Sequence, residues 1–354
     1  MRLIIYTSIF VFVSTFYSFA QQKEWGIEVN PKVGFLLAHR GVMGHLGKEH
    51  AIGGEITGFI QTNGSKNYHQ HYNYPKVGVT LFGSTVGNNK LLGQVYGSYI
   101  FIDFPFAKNQ RNEFSGRISA GGSWNTKIFD QESNPKGIAM STHFNALICL
   151  GFRYRYFIGN SHLLAGIDLT HCSNGSTKVP NLGINLPYVT LGFGKTIQRS
   201  ERIKNTTEFE KKRWNVTAIG ILSVKEIFPT GGQKYPVYAL SVLGRKITGP
   251  KSGIETGLDF IYKTSIKGYK PEIPKTDASI AQLGVYCGYI LPLDKLQFIL
   301  GMGGYLVDKY NPDDKIYHRL GMRYQANKHL LINFTLKTHW AKADYVEYGI
   351  GYTF

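Results

Sequence analysis

A histidine and a serine stand two residues apart in the stretch HCSNGSTKVPNLGIN, which runs from His171 to Asn185. A serine hydroxyl becomes a nucleophile when a neighbouring imidazole takes its proton, and a third polar group commonly orients that imidazole. His171, Ser173 and Asn185 are of suitable types for these three roles. The same residues could instead form an ordinary polar loop, so the elements that carry them must decide between the two interpretations.

The segments on either side of this stretch alternate apolar and polar residues, which is the pattern of β-strands. In HLLAGIDLTH every second residue from Leu163 to Leu169 is apolar, and His171 and Ser173 continue that face. Asn185 has the parity of the apolar positions in the segment that follows it. We therefore expect all three polar residues on an outward face at the end of a strand. Polar groups that face lipid are costly and are commonly functional.

Several features favour a membrane-spanning antiparallel β-barrel over a soluble sandwich. The predicted strands have about ten residues or more, enough to cross a bilayer when tilted, and short turns alternate with longer loops. The sequence has 41 Gly and 14% aromatic but only 18% charged residues. It ends on an alternating segment with a terminal Phe354, which resembles the insertion signal of outer-membrane proteins. The inward, polar positions would include Arg153, Arg155, Asp168, Asn333 and Lys337.

The first 20 residues have the pattern of a cleavable secretory signal peptide. Arg2 precedes an apolar run, and SFA comes before QQ, which predicts cleavage after Ala20. The alternative is an N-terminal membrane anchor, which a short run broken by Ser and Thr disfavours. No later run is long and apolar enough to predict a transmembrane helix. A signal peptide and a barrel together predict the outer membrane of a Gram-negative bacterium.

Three segments of the sequence recur in the same order, which indicates a duplication. For example, LGMRYQANKHLLINFTLKTH resembles LGFRYRYFIGNSHLLAGIDLTH. The predicted parts are the signal peptide (1–20), a first repeat that carries the site (21–197), a charged connector (198–212) and a second repeat (213–354), with about eight strands in each repeat. We expect one continuous barrel of about 14–16 strands, because a single closure pairs every strand edge. Two tandem eight-stranded barrels are the alternative.

The net charge and the cysteine content indicate which ligands, disulfides and metal sites are to be expected. The net charge of +17 suits a surface that binds phosphate or carboxylate groups, and no nucleic-acid-binding motif is present. The scattered Cys149, Cys172 and Cys287 argue against a disulfide framework and against a zinc site. A two-residue turn at Asn160–Ser161 would place Cys149 opposite Cys172, where we expect two neighbouring thiols. No metal and no organic cofactor is predicted.

The HCSN motif followed by PNLGIN resembles the outer-membrane lipid A 3-O-deacylases, the PagL-type or acyloxyacyl hydrolase family. The resemblance is clearest over residues 141–197 and extends over 26–197. It implies that His171 is the general base, Ser173 the nucleophile and Asn174 an oxyanion contributor on a lipid-facing strand. It also implies that lipid A of lipopolysaccharide is the substrate and outer-membrane lipid the surroundings. The family's orienting acid falls on Asn185, which accepts a hydrogen bond but cannot neutralise an imidazolium.

The second repeat lacks the serine of the first. Its segment LKTHWAKADYVEYG contains His339, but the residue two positions after His339 is alanine, and the residue two positions after Thr338 is tryptophan. We expect this half to be structural, with His339 in the lumen or at the rim. Two functions remain open. The first is an esterase that removes an ester-linked acyl chain from lipid A by a Ser–His mechanism. The second is a non-catalytic barrel, such as a porin, adhesin or scaffold, in which Asn185 marks lost activity.

Overall fold

The structure is a computed structural model, and it describes residues 24–198, 202–203, 209, 213–269, 276–310, 313–340 and 342–354. The predicted signal peptide and most of the connector at 198–212 lie outside the described residues, and both stay predictions. None of the described helices has the length and apolar character that a membrane crossing requires.

Eight antiparallel strands close into a barrel in the first half of the chain. They are β1 (Glu24–Phe35), β2 (His50–Gln61), β3 (Lys76–Thr85), β4 (Gln94–Lys108), β5 (Asn112–Asn125), β6 (Phe144–Ile158), β7 (Ser161–Ser173) and β8 (Ile184–Gln198). The last strand pairs back with the first, for example Val29 with Phe193 and Val33 with Val189. A 3₁₀ turn at Gly41–Met43 follows β1, and a short helix, α1 (Asn67–His71), precedes β3.

Eight further antiparallel strands close a second barrel. They are β9 (Asn215–Glu226), β10 (Lys234–Gly249), β11 (Ser252–Lys263), β12 (Ala281–Leu293), β13 (Leu296–Val307), β14 (Ile316–Gln325), β15 (Leu330–His339) and β16 (Lys342–Thr353). The closing pair is β16 with β9, for example Tyr348 with Leu222. A short helix, α2 (Ile266–Tyr269), and a 3₁₀ turn at Asp277–Ile280 lie between β11 and β12.

The prediction of one continuous barrel is wrong, and the alternative of two eight-stranded barrels is the observed fold. A single barrel would pair β8 with β9, but β8 pairs with β1 and β9 pairs with β10 and β16. Eight strands suffice to close a sheet whose interior is filled by side chains, so each half satisfies its own edges. The all-β class and the count of eight strands per half are confirmed.

The described chain divides into two compact units. The loop segments Phe129–Thr142 and Ser173–Gly183 belong to the second unit, which also contains Thr207–Phe354.

Both barrels place apolar side chains outside and polar side chains inside, the reverse of a soluble barrel. On β1 the exposed Ile27 and Val29 alternate with the buried Glu28 and Asn30. An exposed apolar face of this kind is suited to lipid, and the alternation is that of outer-membrane barrels. The residues predicted to point inward are all buried, namely Arg153, Arg155, Asp168, Asn333 and Lys337.

Paired charges fill the lumen of the first barrel. The guanidinium of Arg155 is fully buried and contacts three carboxylates: Glu28 (Nε–Oε1 2.8 Å), Asp103 (Nη2–Oδ2 2.6 Å) and Glu113 (Nη1–Oε1 3.2 Å). Arg117 makes a second short contact with Asp103 (Nε–Oδ1 2.6 Å). Each buried charge thus has an opposite charge within hydrogen-bond distance, which offsets the cost of removing it from water. The lumen is a packed ion-pair network.

The cysteines of the first barrel are free thiols. Cys149 and Cys172 are both buried and neither forms a disulfide, in agreement with the preference for two thiols. The two cysteines are not directly opposite each other, however, which corrects the predicted register. The Cys149 Sγ lies 3.5 Å from the Asp168 Oδ1, and Cys172 hydrogen-bonds to Ser123.

The turn between β6 and β7 explains this difference. Gly159 has a φ of +60°, which glycine adopts at little cost, so the turn lies at Gly159–Asn160, one residue earlier than predicted. Gly151 accordingly stands against Asp168, where a Cβ atom on Gly151 would lie 2.4 Å from the Asp168 Cβ. This register places Cys149 opposite Thr170, two residues before Cys172.

We expect Arg155→Ala to lower the free energy of unfolding by about 3–5 kcal/mol, because it removes the one buried cation that three carboxylates share and leaves their charge only partly compensated. The measurement is a urea titration in detergent, followed by the heat-modifiable band of the folded barrel on a gel. Arg111→Ala is the matched control, since Arg111 is exposed in the turn before β5 and its loss should change stability by less than about 0.5 kcal/mol. Equal midpoints for the two variants would contradict the structural role of the network.

Candidate active site

The histidine and the serine of the HCSN motif, His171 and Ser173, both lie at the end of β7 (Ser161–Ser173). Leu163, Ile167 and Leu169 form the exposed apolar face of this strand, and His171 continues that face with a partly exposed side chain. Ser173 is the last residue of the strand and is 8% exposed. The outward face of the strand is therefore apolar as far as Leu169, and the last residues of the strand are polar.

Asn185 lies directly across the sheet from His171. It is the second residue of β8, and the two residues form a pair in the β7–β8 register. The His171 Nδ1 and the Asn185 Oδ1 are 2.6 Å apart. An amide oxygen only accepts hydrogen bonds, so the imidazole donates from Nδ1 and its Nε2 is left as the acceptor. The amide group thus holds His171 in the tautomer that a general base needs.

The amide of Asn185 has a second partner. Its Nδ2 lies 3.0 Å from the Nδ1 of His39, a residue in the segment that follows β1. Because Nδ2 only donates, the His39 Nδ1 is the acceptor of this hydrogen bond. His171, Asn185 and His39 therefore form a row of three side chains on the rim of the first barrel.

Two N–H groups point at the hydroxyl of Ser173. The Asn181 Nδ2 donates to the Ser173 Oγ at 2.9 Å, and the backbone N–H of Gly175 donates at 3.1 Å. Gly175 has a φ of +65°, a conformation that favours glycine and that turns its N–H back towards the serine. Both acceptor positions of the oxygen are filled, so the hydroxyl proton is free to be donated elsewhere.

Asn174 holds the loop that follows β7. Its Nδ2 donates to the Ser141 Oγ (3.2 Å), the Thr142 Oγ1 (3.1 Å) and the carbonyl oxygen of Lys178 (3.0 Å). Its backbone N–H donates to the Asn181 Oδ1 at 3.2 Å, which orients the amide that contacts Ser173. The side chain predicted to contribute to an oxyanion site thus has its amide donors directed into the loop.

Sequence reasoning missed three members of this site. Asn181 and Gly175 lie inside the quoted stretch and could have been found as polar and left-handed loop positions close to Ser173. His39 is 146 positions from Asn185 and carries no signal in the alternation of its own segment. Only the pairing of β1 with β8 brings it to this rim.

In the described part of the first barrel, one group of side chains has the spacing of a metal site: Glu55, Cys149 and Asp168. The ammonium of Lys32 forms ion pairs with both carboxylates of this group, at 2.8 Å from the Asp168 Oδ1. The amine therefore stands where a cation would bind, and the group reads as part of the ion-pair network.

His339 is buried in the second barrel, in agreement with its predicted place in the lumen or at the rim. Its Nε2 lies 3.3 Å from the hydroxyl of Tyr305 and its Nδ1 lies 3.8 Å from Asp344. With Asp313 it forms a second group of possible metal ligands among the described residues. Lys263 contacts both carboxylates, at 2.9 Å from Asp313 and 3.2 Å from Asp344. This group too is neutralised by an amine.

Two family models match this chain. The model described as "Lipid A 3-O-deacylase (PagL)" matches residues 56–194, and the model described as "Acyloxyacyl hydrolase, C-terminal domain" matches residues 212–354. Together they cover most of the sequence. The chain belongs to the lipid A 3-O-deacylase family. Membership confirms the resemblance drawn from the HCSN and PNLGIN motifs. It supports an outer-membrane ester hydrolase that acts on lipid A.

Other comparisons add little. No curated protein matches the chain. Among solved structures, a triply substituted porin of Rh. blastica is 9% identical with a TM-score of 0.20, over 93% of this chain and 100% of the porin. An outer membrane channel from Pseudomonas putida F1 is 11% identical with a TM-score of 0.20, over 95% and 97%. Scores of this size carry no argument about fold or activity.

We expect Asn174→Ala to loosen the loop at 174–183, because it removes three hydrogen bonds that hold this loop. Each lost hydrogen bond costs about 1 kcal/mol, so cleavage by trypsin after Lys178 should become about tenfold faster or more. Asn160→Ala, in the exposed turn before β7, is the control and should leave this cleavage rate unchanged. Loss of ester hydrolysis with an unchanged cleavage rate would instead assign Asn174 a direct part in stabilising an oxyanion.

Proposed function

We propose that this protein removes an ester-linked acyl chain from lipid A by a Ser–His mechanism. In this proposal Ser173 is the nucleophile, His171 the general base, Asn185 the group that orients the base, and Asn174 a contributor to the oxyanion site. The observation that carries the proposal is the 2.6 Å hydrogen bond between the His171 Nδ1 and the Asn185 Oδ1, at the end of the strand that also carries Ser173.

The proton inventory of the site supports these roles. The His171 Nε2 is the free acceptor of the imidazole, and the Ser173 hydroxyl has an uncommitted proton because its oxygen already accepts two N–H groups. In the reaction, Nε2 takes that proton, one of the two N–H groups moves off Oγ, and the lone pair that this frees forms the bond to the ester carbonyl carbon. The imidazolium then returns the proton to the departing sugar or hydroxyacyl oxygen. Water, activated by the same base, hydrolyses the acyl-enzyme ester in the second half of the reaction.

Negative charge that develops at Ser173 has donors close by. The Gly175 N–H and the Asn181 Nδ2, both directed at Oγ, favour ionisation of the hydroxyl and lie close to where the ester carbonyl must come. Asn174 contributes at least by fixing Asn181 through its own backbone N–H. These donors belong to a loop that hydrogen bonds hold in place, and the donor that moves off Oγ during the attack then stabilises the oxyanion.

The position of the site suits a substrate that stays in the membrane. His171 follows the exposed apolar residues of β7, so an acyl chain can remain against Leu169 and in lipid while its ester reaches the end of the strand. The net charge of +17 suits the anionic head group of lipopolysaccharide, which basic side chains bind through charge-assisted hydrogen bonds. Export by a cleavable signal peptide at 1–20 to a Gram-negative outer membrane completes the proposal.

The amide at position 185 makes the base weaker without disabling it. In serine proteases an amide in place of the orienting acid costs about 10⁴ in rate, but there the amide also holds the imidazole in the wrong tautomer. Here the Asn185 Oδ1 faces the His171 Nδ1, which is the correct tautomer for a base. The remaining cost is the missing negative charge beside the imidazolium.

We expect Ser173→Ala to lower the rate of ester hydrolysis by about 10³-fold or more, because it removes the nucleophile. The assay is mass spectrometry of lipid A from cells with and without each variant, with the heat-modifiable band as the check on folding. Ser161→Ala, at the far end of the same strand, is the matched control and should keep full activity. Full deacylation by Ser173→Ala would contradict the serine mechanism, and no deacylation by the native protein would favour a non-catalytic barrel.

We expect Asn185→Asp to retain activity or to raise it, because a carboxylate accepts the same hydrogen bond and also neutralises the imidazolium. The measurement is the initial rate on purified lipid A in mixed micelles. Asn160→Asp adds the same charge at the other end of β7 and should leave the rate unchanged. A loss of more than about tenfold with an intact barrel would mean that an amide is specifically required or that residue 185 does not orient the base.

A further inference from the structure

We propose that His39 is a positioning residue that makes an amide work in the place of an acid at this site. It accepts a hydrogen bond from the Asn185 Nδ2 at 3.0 Å and so keeps the Asn185 Oδ1 turned towards His171. This inference rests on the proposed function, since it concerns the base of that reaction. His39 needs no contact with the substrate for this role.

The need for such a residue follows from the chemistry of amides. A carboxylate presents acceptors on both oxygens, so it orients a histidine in either rotation. An amide has one acceptor and one donor, and a flipped Asn185 would present Nδ2 to the His171 Nδ1. That nitrogen would then have to accept, the ring proton would move to Nε2, and the base would have no free lone pair for Ser173. Orientation of the amide is therefore equivalent to choice of the catalytic tautomer.

The position of His39 determines which of its two rotations the Asn185 amide adopts. It lies on the donor side of the Asn185 amide, where its unprotonated Nδ1 meets an N–H and stabilises one of the two rotations. Its chain segment is fixed to the same place by a backbone hydrogen bond, from the Leu37 N–H to the Asn185 carbonyl oxygen at 2.9 Å. The pairing of β1 with β8 thus places both the His39 side chain and the backbone hydrogen bond of Leu37 next to Asn185.

A double-mutant cycle tests this role on the full-length protein in mixed micelles. We expect His39→Ala to lower kcat about 3- to 10-fold, the effect of one lost hydrogen bond, with little change in KM because His39 does not touch substrate. His39→Gln, which offers an uncharged acceptor, should recover most of the rate. In the Asn185→Asp background His39→Ala should cost less than about twofold, since a carboxylate needs no orientation.

The control is His50→Ala, an exposed histidine at the start of β2, which should leave kcat unchanged in both backgrounds. The second readout is independent of activity. In ¹⁵N-histidine-labelled protein, with the His171 signals assigned from a His171→Gln sample, the native ring should carry its proton on Nδ1. His39→Ala should shift this signal towards a mixture of the two tautomers.

The outcomes separate this inference from the proposed function. If native protein shows no hydrolysis but His39→Ala still changes the His171 tautomer, the positioning role stands and the proposed reaction fails. If native protein hydrolyses lipid A and His39→Ala costs the same factor with Asn185 and with Asp at 185, His39 acts in another way and the inference is overturned. An unchanged His171 tautomer in His39→Ala overturns it as well.

Discussion

The pairing of β1 with β8 is the constraint on which the first half of the protein depends. It closes the sheet at eight strands and leaves no unpaired edge for the second half to fill. It also brings the segment after β1 to the rim where β7 ends, so that His39 meets Asn185. A single larger barrel would have put a strand of the second half in that place. Closure of the sheet therefore also completes the row of His171, Asn185 and His39.

The same closure explains the charged lumen. An eight-stranded barrel leaves room inside only for side chains, and a lipid-facing exterior leaves polar residues no other place. Arg155 and its three carboxylate partners fill this space with matched charge. A filled interior of this kind packs the barrel wall on its inner side. It also gives a porin role no support from the first barrel.

The proposed site differs from a Ser–His–acid arrangement in the nature of its third group. An amide holds the imidazole but adds no charge, and it must be oriented by something else. The row of His171, Asn185 and His39 supplies that orientation by geometry alone. The hydroxyl side of the site is built separately, from the short loop that carries Gly175 and Asn181. Ser173, which these donors contact, ends the same strand that carries His171.

The sequence by itself determined the strands, their faces and the catalytic candidates, because alternation and motif spacing are local properties. The inward Arg153 and Asp168 and the outward His171 follow from counting along a strand. It did not determine which strand closes on which, because alternating barrel strands present the same pattern to any partner. The sequence also did not determine the exact position of the turn at Gly159, which differs from the predicted position by one residue. The register that separates Cys149 from Cys172 follows from this turn. Only the tertiary structure could place His39 beside Asn185, since that contact joins residues 146 positions apart through a pairing that no local property encodes.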